Sequence, residues 1–115
     1  MHGEVCSLSE ETAEAVATCK GRIIAVGTTS ARTLESFAVG PRKVVPGDMV
    51  STLFIRPPYQ FRVLDGMFTN FHMPRTTMLL MISAFASPER ISKAYKAAVE
   101  NRYRFLSFGD SMLIL

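Results

Sequence analysis

The chain has little that marks a specialised class of protein. Its 115 residues include two cysteines, Cys6 and Cys19, in neither a CxxC nor a metal-ligand spacing. This argues against a disulfide framework or a zinc module and leaves free thiols in a cytoplasmic protein as the expectation. The longest apolar stretch, residues 78–82 followed by 84–86, falls far short of the ~20 residues that span a bilayer. No charged n-region, apolar h-region and cleavage site open the chain, so secretion is not expected. Basic residues nowhere form a long run. The net charge of +3 and pI near 9.1 therefore describe a solvated mixed surface, compatible with a nucleic-acid partner without requiring one. Internal repeats and low-complexity segments are absent.

What is present is the composition of one small globular domain, with 48% hydrophobic and 20% charged residues. A mean hydropathy of +0.18 is high for a domain this small, whose large surface share should be polar. The sequence also ends on the apolar run Met112-Leu113-Ile114-Leu115. Both features suggest a piece of a larger protein whose remainder covers part of this surface.

Residues 7–20 read as a first helix, with Ser7-Leu8-Ser9-Glu10 as a capping box and Gly21 as the stop. Residues 23–26 run apolar without alternation, the pattern of a parallel strand buried on both faces. Gly27 then turns the chain into a second helix with Ala31, Leu34 and Ala38 inside and Gly40 at its end. Residues 52–56 and the alternating residues 59–63 read as strands. Asp65-Gly66 is a turn signal followed by a short segment that ends in Thr69-Asn70-Phe71-His72, then a helix capped by Thr76 or Thr77 and apolar nearly all round. Ser87-Pro88-Glu89 starts an amphipathic helix, and a final strand follows Gly109-Asp110. The expected fold class is α/β: a layered sheet of mostly parallel buried strands flanked by helices, forming the C-terminal part of a larger α/β domain.

Several clusters could carry chemistry. In Val26-Gly27-Thr28-Thr29-Ser30 a strand ends at a glycine and a helix begins with hydroxyls. Such a turn either caps the helix or binds a carboxylate or phosphate at its positive end. It is neither a Walker loop nor the glycine-rich dinucleotide fingerprint. Arg32 and Glu35 share one helical face; Arg32 could clamp an anion or simply pair with Glu35 on the surface. In Thr69-Asn70-Phe71-His72-Met73-Pro74, Asn70 and His72 are two apart on a strand and face one side. His72 can move protons near neutrality, or can be a satisfied structural histidine. His2 and Glu4 form either a proton-transfer pair or a loose tail. Asp110 is a carboxylate at a sheet edge or a turn residue. No pair among His2, Glu4, Cys6 and His72 has usual zinc spacing, and no metal is expected.

Taken together, these segments resemble the C-terminal part of S-adenosylmethionine:tRNA ribosyltransferase-isomerase, the family of queuosine biosynthesis. The matching blocks include Met1-His2-Gly3-Glu4, Gly27-Thr28-Thr29-Ser30-Ala31-Arg32-Thr33-Leu34-Glu35, Thr69-Asn70-Phe71-His72-Met73-Pro74, Tyr103-Arg104-Phe105 and residues 107–115. The resemblance covers residues 1–115 as a single partial domain; the family's larger N-terminal portion and inserted β-barrel-like domain have no counterpart here. It implies transfer and isomerisation of the ribosyl group of S-adenosylmethionine onto 7-aminomethyl-7-deazaguanine at the tRNA wobble position. Epoxyqueuosine forms, and adenine and methionine leave. The implied partners are that tRNA and the missing N-terminal portion, and the implied setting is the cytoplasm. On this basis His72, or His2 with Glu4, is the candidate general base. Thr28, Thr29, Ser30 and Arg32 are candidate anion anchors, Asn70 a base reader and Asp110 a polar contact.

The chain departs from the family at Gly3, where serine is usual, and at Pro57-Pro58-Tyr59, where Pro-Gly-Tyr is usual. Phe108 stands where tyrosine is usual. Three readings compete: one part of a split active site, inactive alone; a nucleoside- or tRNA-binding module without catalysis; and a relic acting only through protein contacts. An ordinary methyltransferase is disfavoured, because the acidic, glycine-rich loop of that class is absent.

Overall fold

A computed structural model describes residues 3–73 and 76–115. The chain opens with strand β1 (Glu4–Leu8), helix α1 (Glu10–Thr18), strand β2 (Ile24–Val26) and helix α2 (Thr28–Ser36). Short strands β3 (Ala38–Gly40), β4 (Lys43–Val44) and β5 (Gly47–Ser51) follow, and then a long irregular segment. Strand β6 (Gly66–Asn70), helices α3 (Thr77–Phe85) and α4 (Pro88–Glu100) and strand β7 (Ser111–Ile114) complete it.

The α/β class holds, but the strands are mostly antiparallel. β1 pairs antiparallel with β5, β3 with β4, and β6 with β7. Among the described residues the parallel pair is β2 with β6. The apolar run at 23–26 misled because it is buried on one face alone: Ala25 is buried and Val26 is exposed. Val26, Phe68 and Leu113 are successive cross-strand neighbours, and all three are exposed. One face of the β2–β6–β7 sheet thus presents a bare apolar row, while Ala25, Met67 and Ile114 pack beneath the helices with Met81, Ile82 and Ile91. A second cluster joins Leu8, Val16, Phe37, Val44 and Val63, and Ile23 and Leu34 pack against both.

Local signals set the helix starts. Ser9, Thr76 and Ser87 each accept a bond from the backbone N–H three residues on. The first helix therefore begins at Glu10 rather than Ser7, because Ser7 and Leu8 are spent in β1. α2 ends at Ser36, ahead of the expected Gly40. α3 is not buried all round, since Met78 and Leu80 are exposed.

The strands expected at 52–56 and 59–63 do not form. At the second of these the cause is Glu35, which is only 4% exposed. Its Oε1 accepts from Tyr59 Oη and Arg62 N, each at 2.9 Å. Its Oε2 accepts from Val63 N at 2.9 Å and Leu64 N at 3.2 Å. Backbone donors that a ladder would use are thereby drawn to one carboxylate. Asp65 makes a second tie: its Oδ2 accepts from Ile23 N and Arg42 Nη1, both at 2.8 Å. The Ile23 N–H, followed by Arg42, holds the Asp65 carboxyl below its ordinary range. Arg42 also donates to the carbonyls of Cys19 and Gly21, so the exit of α1 is tied to the entries of β2 and β6.

Glu35→Gln keeps the shape but turns an amide toward N–H donors. It should cost about 2–4 kcal/mol of unfolding free energy, read from urea titration with an unchanged m-value. A loss below about 0.5 kcal/mol, the range of ordinary surface substitutions, would contradict this role.

Candidate functional site

The parallel pairing of β2 and β6 places their carboxyl ends side by side, with Val26 opposite Phe68. The ladder runs on one step, Gly27 N donating to Phe68 O at 2.8 Å. β7 runs the other way, so its start at Ser111 lies opposite Asn70. One edge of the sheet thus collects the hydroxyl-rich turn, the Asn70–His72 segment and Asp110. Ligands of open α/β sheets gather at such strand ends.

Gly27 takes φ +92, a conformation open to glycine, and serves as the N-cap of α2 without any side-chain bond. Thr28, Thr29 and Ser30 therefore sit in the first helical turn instead of capping it. Thr28 and Thr29 line a cavity of about 310 Å³, of a size that suits a small molecule, whereas Ser30 is exposed and outside its lining. Glu4, Arg32, Thr33, Ser51 and Thr77 add to its polar wall. Phe54, Ile55, Met78 and Met81 supply an apolar one.

Arg32 is 6% exposed and does not pair with Glu35, which looks the other way. Its Nη1 donates to Glu4 Oε1 at 2.6 Å. Nε donates to Leu53 O and Nη2 to Ser51 O, each at 3.0 Å. The pair is lopsided: the Glu4 side chain is 63% exposed while that of Arg32 is 7% exposed. The guanidinium is thus held in direction by two backbone carbonyls, with Glu4 as a solvent-facing partner. His2, the other half of the expected pair with Glu4, lies outside the described residues, as does Pro74.

His72 is half-buried. Its Nε2 lies 2.8 Å from Thr69 Oγ1, and its backbone N–H donates to Tyr95 Oη at 2.8 Å. Burial holds its imidazole below the ordinary 6.5, so the ring is neutral at pH 7 and can accept a proton. In the tautomer whose Nε2–H donates to Thr69, the ring's lone pair is on Nδ1. Tyr95 in turn packs edge-on against Phe71 and Phe105. Asn70 Nδ2 donates to Asp110 O at 3.3 Å. Asp110 is spent locally: Oδ2 accepts from Arg104 N at 2.7 Å, and Oδ1 lies 3.5 Å from Arg104 Nη2. Those contacts, the Arg104 N–H first, keep its carboxyl below the ordinary range.

The predicted residues thus fall into two groups. Glu4, Thr28, Thr29 and Arg32 meet at the cavity; Asn70, His72 and Asp110 meet at the neighbouring sheet edge. The five-residue step from His72 to Thr77, which lines the cavity, spans at most about 18 Å. Thr69 and Tyr95 join the predicted residues at the sheet edge. The three-residue gap from Thr69 to His72 was a readable signal, whereas nothing in the sequence links Tyr95 to His72. Among the described residues no cluster of His, Cys, Asp and Glu could hold a metal ion, and no helix is long and apolar enough to cross a membrane.

Removing the buried member of the ion pair should cost far more than removing the exposed one. Arg32→Met strands two carbonyls and should lower stability by about 2–3 kcal/mol, while Glu4→Gln should cost under about 1 kcal/mol. Equal losses in chemical denaturation would refute the asymmetry. For His72, the unfolded chain binds a proton more readily than the folded one. Its contribution to stability is complete above pH ~6.5 and declines as pH drops through the lowered native value. In a proton NMR titration its ring should show a midpoint below 6.5.

A family model described as queuosine biosynthesis protein matches residues 1–114. The S-adenosylmethionine:tRNA ribosyltransferase-isomerase of Caldanaerobacter subterraneus subsp. tengcongensis is 51% identical over 118 residues, covering 100% of this chain and 35% of that relative. Its counterpart from Thermus thermophilus is likewise 51% identical, with 34% of its length covered. The crystal structure of S-adenosylmethionine tRNA ribosyltransferase from Thermotoga maritima superposes with a TM-score of 0.87 at 43% identity. That match covers 96% of this chain and 40% of the other. The chain spans about a third of the length of the curated relatives it matches. With the match running through both the cavity and the sheet edge, the chain belongs to the queuosine biosynthesis protein family.

Proposed function

We propose that this chain carries part of the active site of an S-adenosylmethionine:tRNA ribosyltransferase-isomerase acting in the cytoplasm. The observation that carries this reading is the cavity in which the uncapped start of α2 and the buried guanidinium of Arg32 meet an apolar wall. A methionine carboxylate suits the first two, since helix N–H groups and guanidinium both favour an anion. Thr28 and Thr29 add hydroxyl donors, while Ser30, outside the lining, does not join them. Phe54, Ile55 and Met78 offer apolar surface to a nucleoside.

The reaction needs a base, because the sulfonium acidifies an adjacent C–H bond. His72 fits that role better than Glu4. Its imidazole is neutral at pH 7 and bonded to Thr69, Tyr95 holds its backbone N–H, and in the tautomer whose Nε2–H donates to Thr69 the lone pair that takes the proton sits on Nδ1. Glu4 is instead engaged in orienting Arg32. Asn70, at the same sheet edge, is suited to reading a 7-deazaguanine edge, and Asp110 acts through Asn70 and the loop before β7. The tRNA carrying 7-aminomethyl-7-deazaguanine at its wobble position is the acceptor, and the family's N-terminal portion supplies the facing wall.

The test joins this chain to the remaining polypeptide of a close relative and follows epoxyqueuosine in tRNA by mass spectrometry. His72→Ala should lower kcat by about 10²–10⁴-fold with folding retained. Undiminished turnover in a folded variant removes His72 from the chemistry.

A further inference from the structure

Residues 101–110, between α4 and β7, form a loop with an unusual surface. Phe108 is 99% exposed, so its whole ring stands in solvent. Tyr103 is exposed, and so are Arg102 and Arg104, the latter with 76% of its side chain accessible. Rings of this size are seldom left bare unless something covers them.

The loop is nevertheless held firmly. Tyr103 N donates to Ala98 O at 2.9 Å, Leu106 N to Phe71 O at 2.9 Å and Asp110 N to Arg104 O at 2.8 Å. Gly109 sits so close to the chain that a Cβ there would lie 2.5 Å from the carbonyl oxygens of Arg104 and Phe105. Phe105 packs inward on Phe71 and Tyr95. Phe108 is therefore displayed by a pre-ordered scaffold, at low entropic cost to a partner.

Its position matters as much as its exposure. Leu106 is bonded to Phe71, and Asp110 O accepts from Asn70, so the loop adjoins the Asn70–His72 edge. The bare sheet row of Val26, Phe68 and Leu113 is purely apolar and suits protein. The loop instead interleaves aromatic rings with guanidinium groups, the combination that holds unpaired nucleotides by stacking and phosphate contact.

We propose that the loop from Arg102 to Phe108 is a contact surface for unpaired RNA. Phe108 is its stacking platform, and Arg102 and Arg104 hold the flanking phosphates. The partner class rests on the activity reading above; the surface does not. Bound there, an unpaired stretch of RNA lies beside Asn70 and His72.

Fluorescence anisotropy of the whole chain tests this without S-adenosylmethionine, using a labelled RNA stem–loop of anticodon-arm size and a blunt duplex of equal length. The stem–loop should bind more tightly than the duplex. Phe108→Ala should weaken stem–loop binding about tenfold with an unchanged circular dichroism spectrum, and Phe108→Tyr should retain it. Arg104→Gln should flatten the salt dependence by about one unit of slope. The proposal is overturned by absent stem–loop binding, by equal affinity for duplex, or by unchanged affinity in Phe108→Ala. It is overturned too if Phe108→Ala impairs docking of a relative's remaining polypeptide while RNA affinity stays constant. Phe108-dependent RNA binding beside a completed enzyme that makes no epoxyqueuosine sinks the activity reading alone. Epoxyqueuosine formed equally by wild type and Phe108→Ala, with RNA affinity unaltered, sinks this one alone.

Discussion

The buried carboxylate of Glu35 is the constraint on which the rest of this structure depends. A charge removed from water is tolerable only when its lone pairs are filled, and here three backbone N–H groups and a phenol fill them. Burial first, and then the Glu35 carboxylate, push the Tyr59 hydroxyl far above its ordinary pKa. The result is that α2 and the irregular segment before β6 are fixed to each other. Both ends of the cavity then inherit their positions, since α2 carries Thr28 and Arg32 and the same segment carries Phe54 and Ile55.

Arg32 shows how one helix serves structure and chemistry together. Glu35 points to one side of α2 and Arg32 to another, so their adjacency in sequence produces no ion pair. Arg32 is oriented by the carbonyls of Ser51 and Leu53 and balanced by a partner in contact with water. A guanidinium so placed keeps its direction when the balancing anion changes.

Much of this was readable in the sequence, and the failures have physical causes. Ser87-Pro88-Glu89, Thr76 and the strand–glycine–helix step at 24–28 were legible because capping and turn chemistry are local. Strand direction was not, because a short apolar run looks alike whether one face or both are covered. Residues 59–63 alternate like a strand, but the N–H groups of Arg62 and Val63 go to a carboxylate more than twenty residues earlier. At the site, residue types were legible and partners were not. β6 ends at Asn70, so the strand alternation expected of Asn70 and His72 stops short of His72, which is held by Tyr95 from a later helix, and Asp110 closes its own loop.

The uncovered row of Val26, Phe68 and Leu113 has a thermodynamic signature. Apolar surface that already meets water in the native state gains no new hydration when the chain unfolds, so it adds nothing to the heat-capacity increment. The stability curve of the isolated chain is therefore broader and flatter against temperature than its hydrophobic content suggests. Covering that row restores the missing curvature, so the heat capacity of unfolding reports whether the sheet has found its cover.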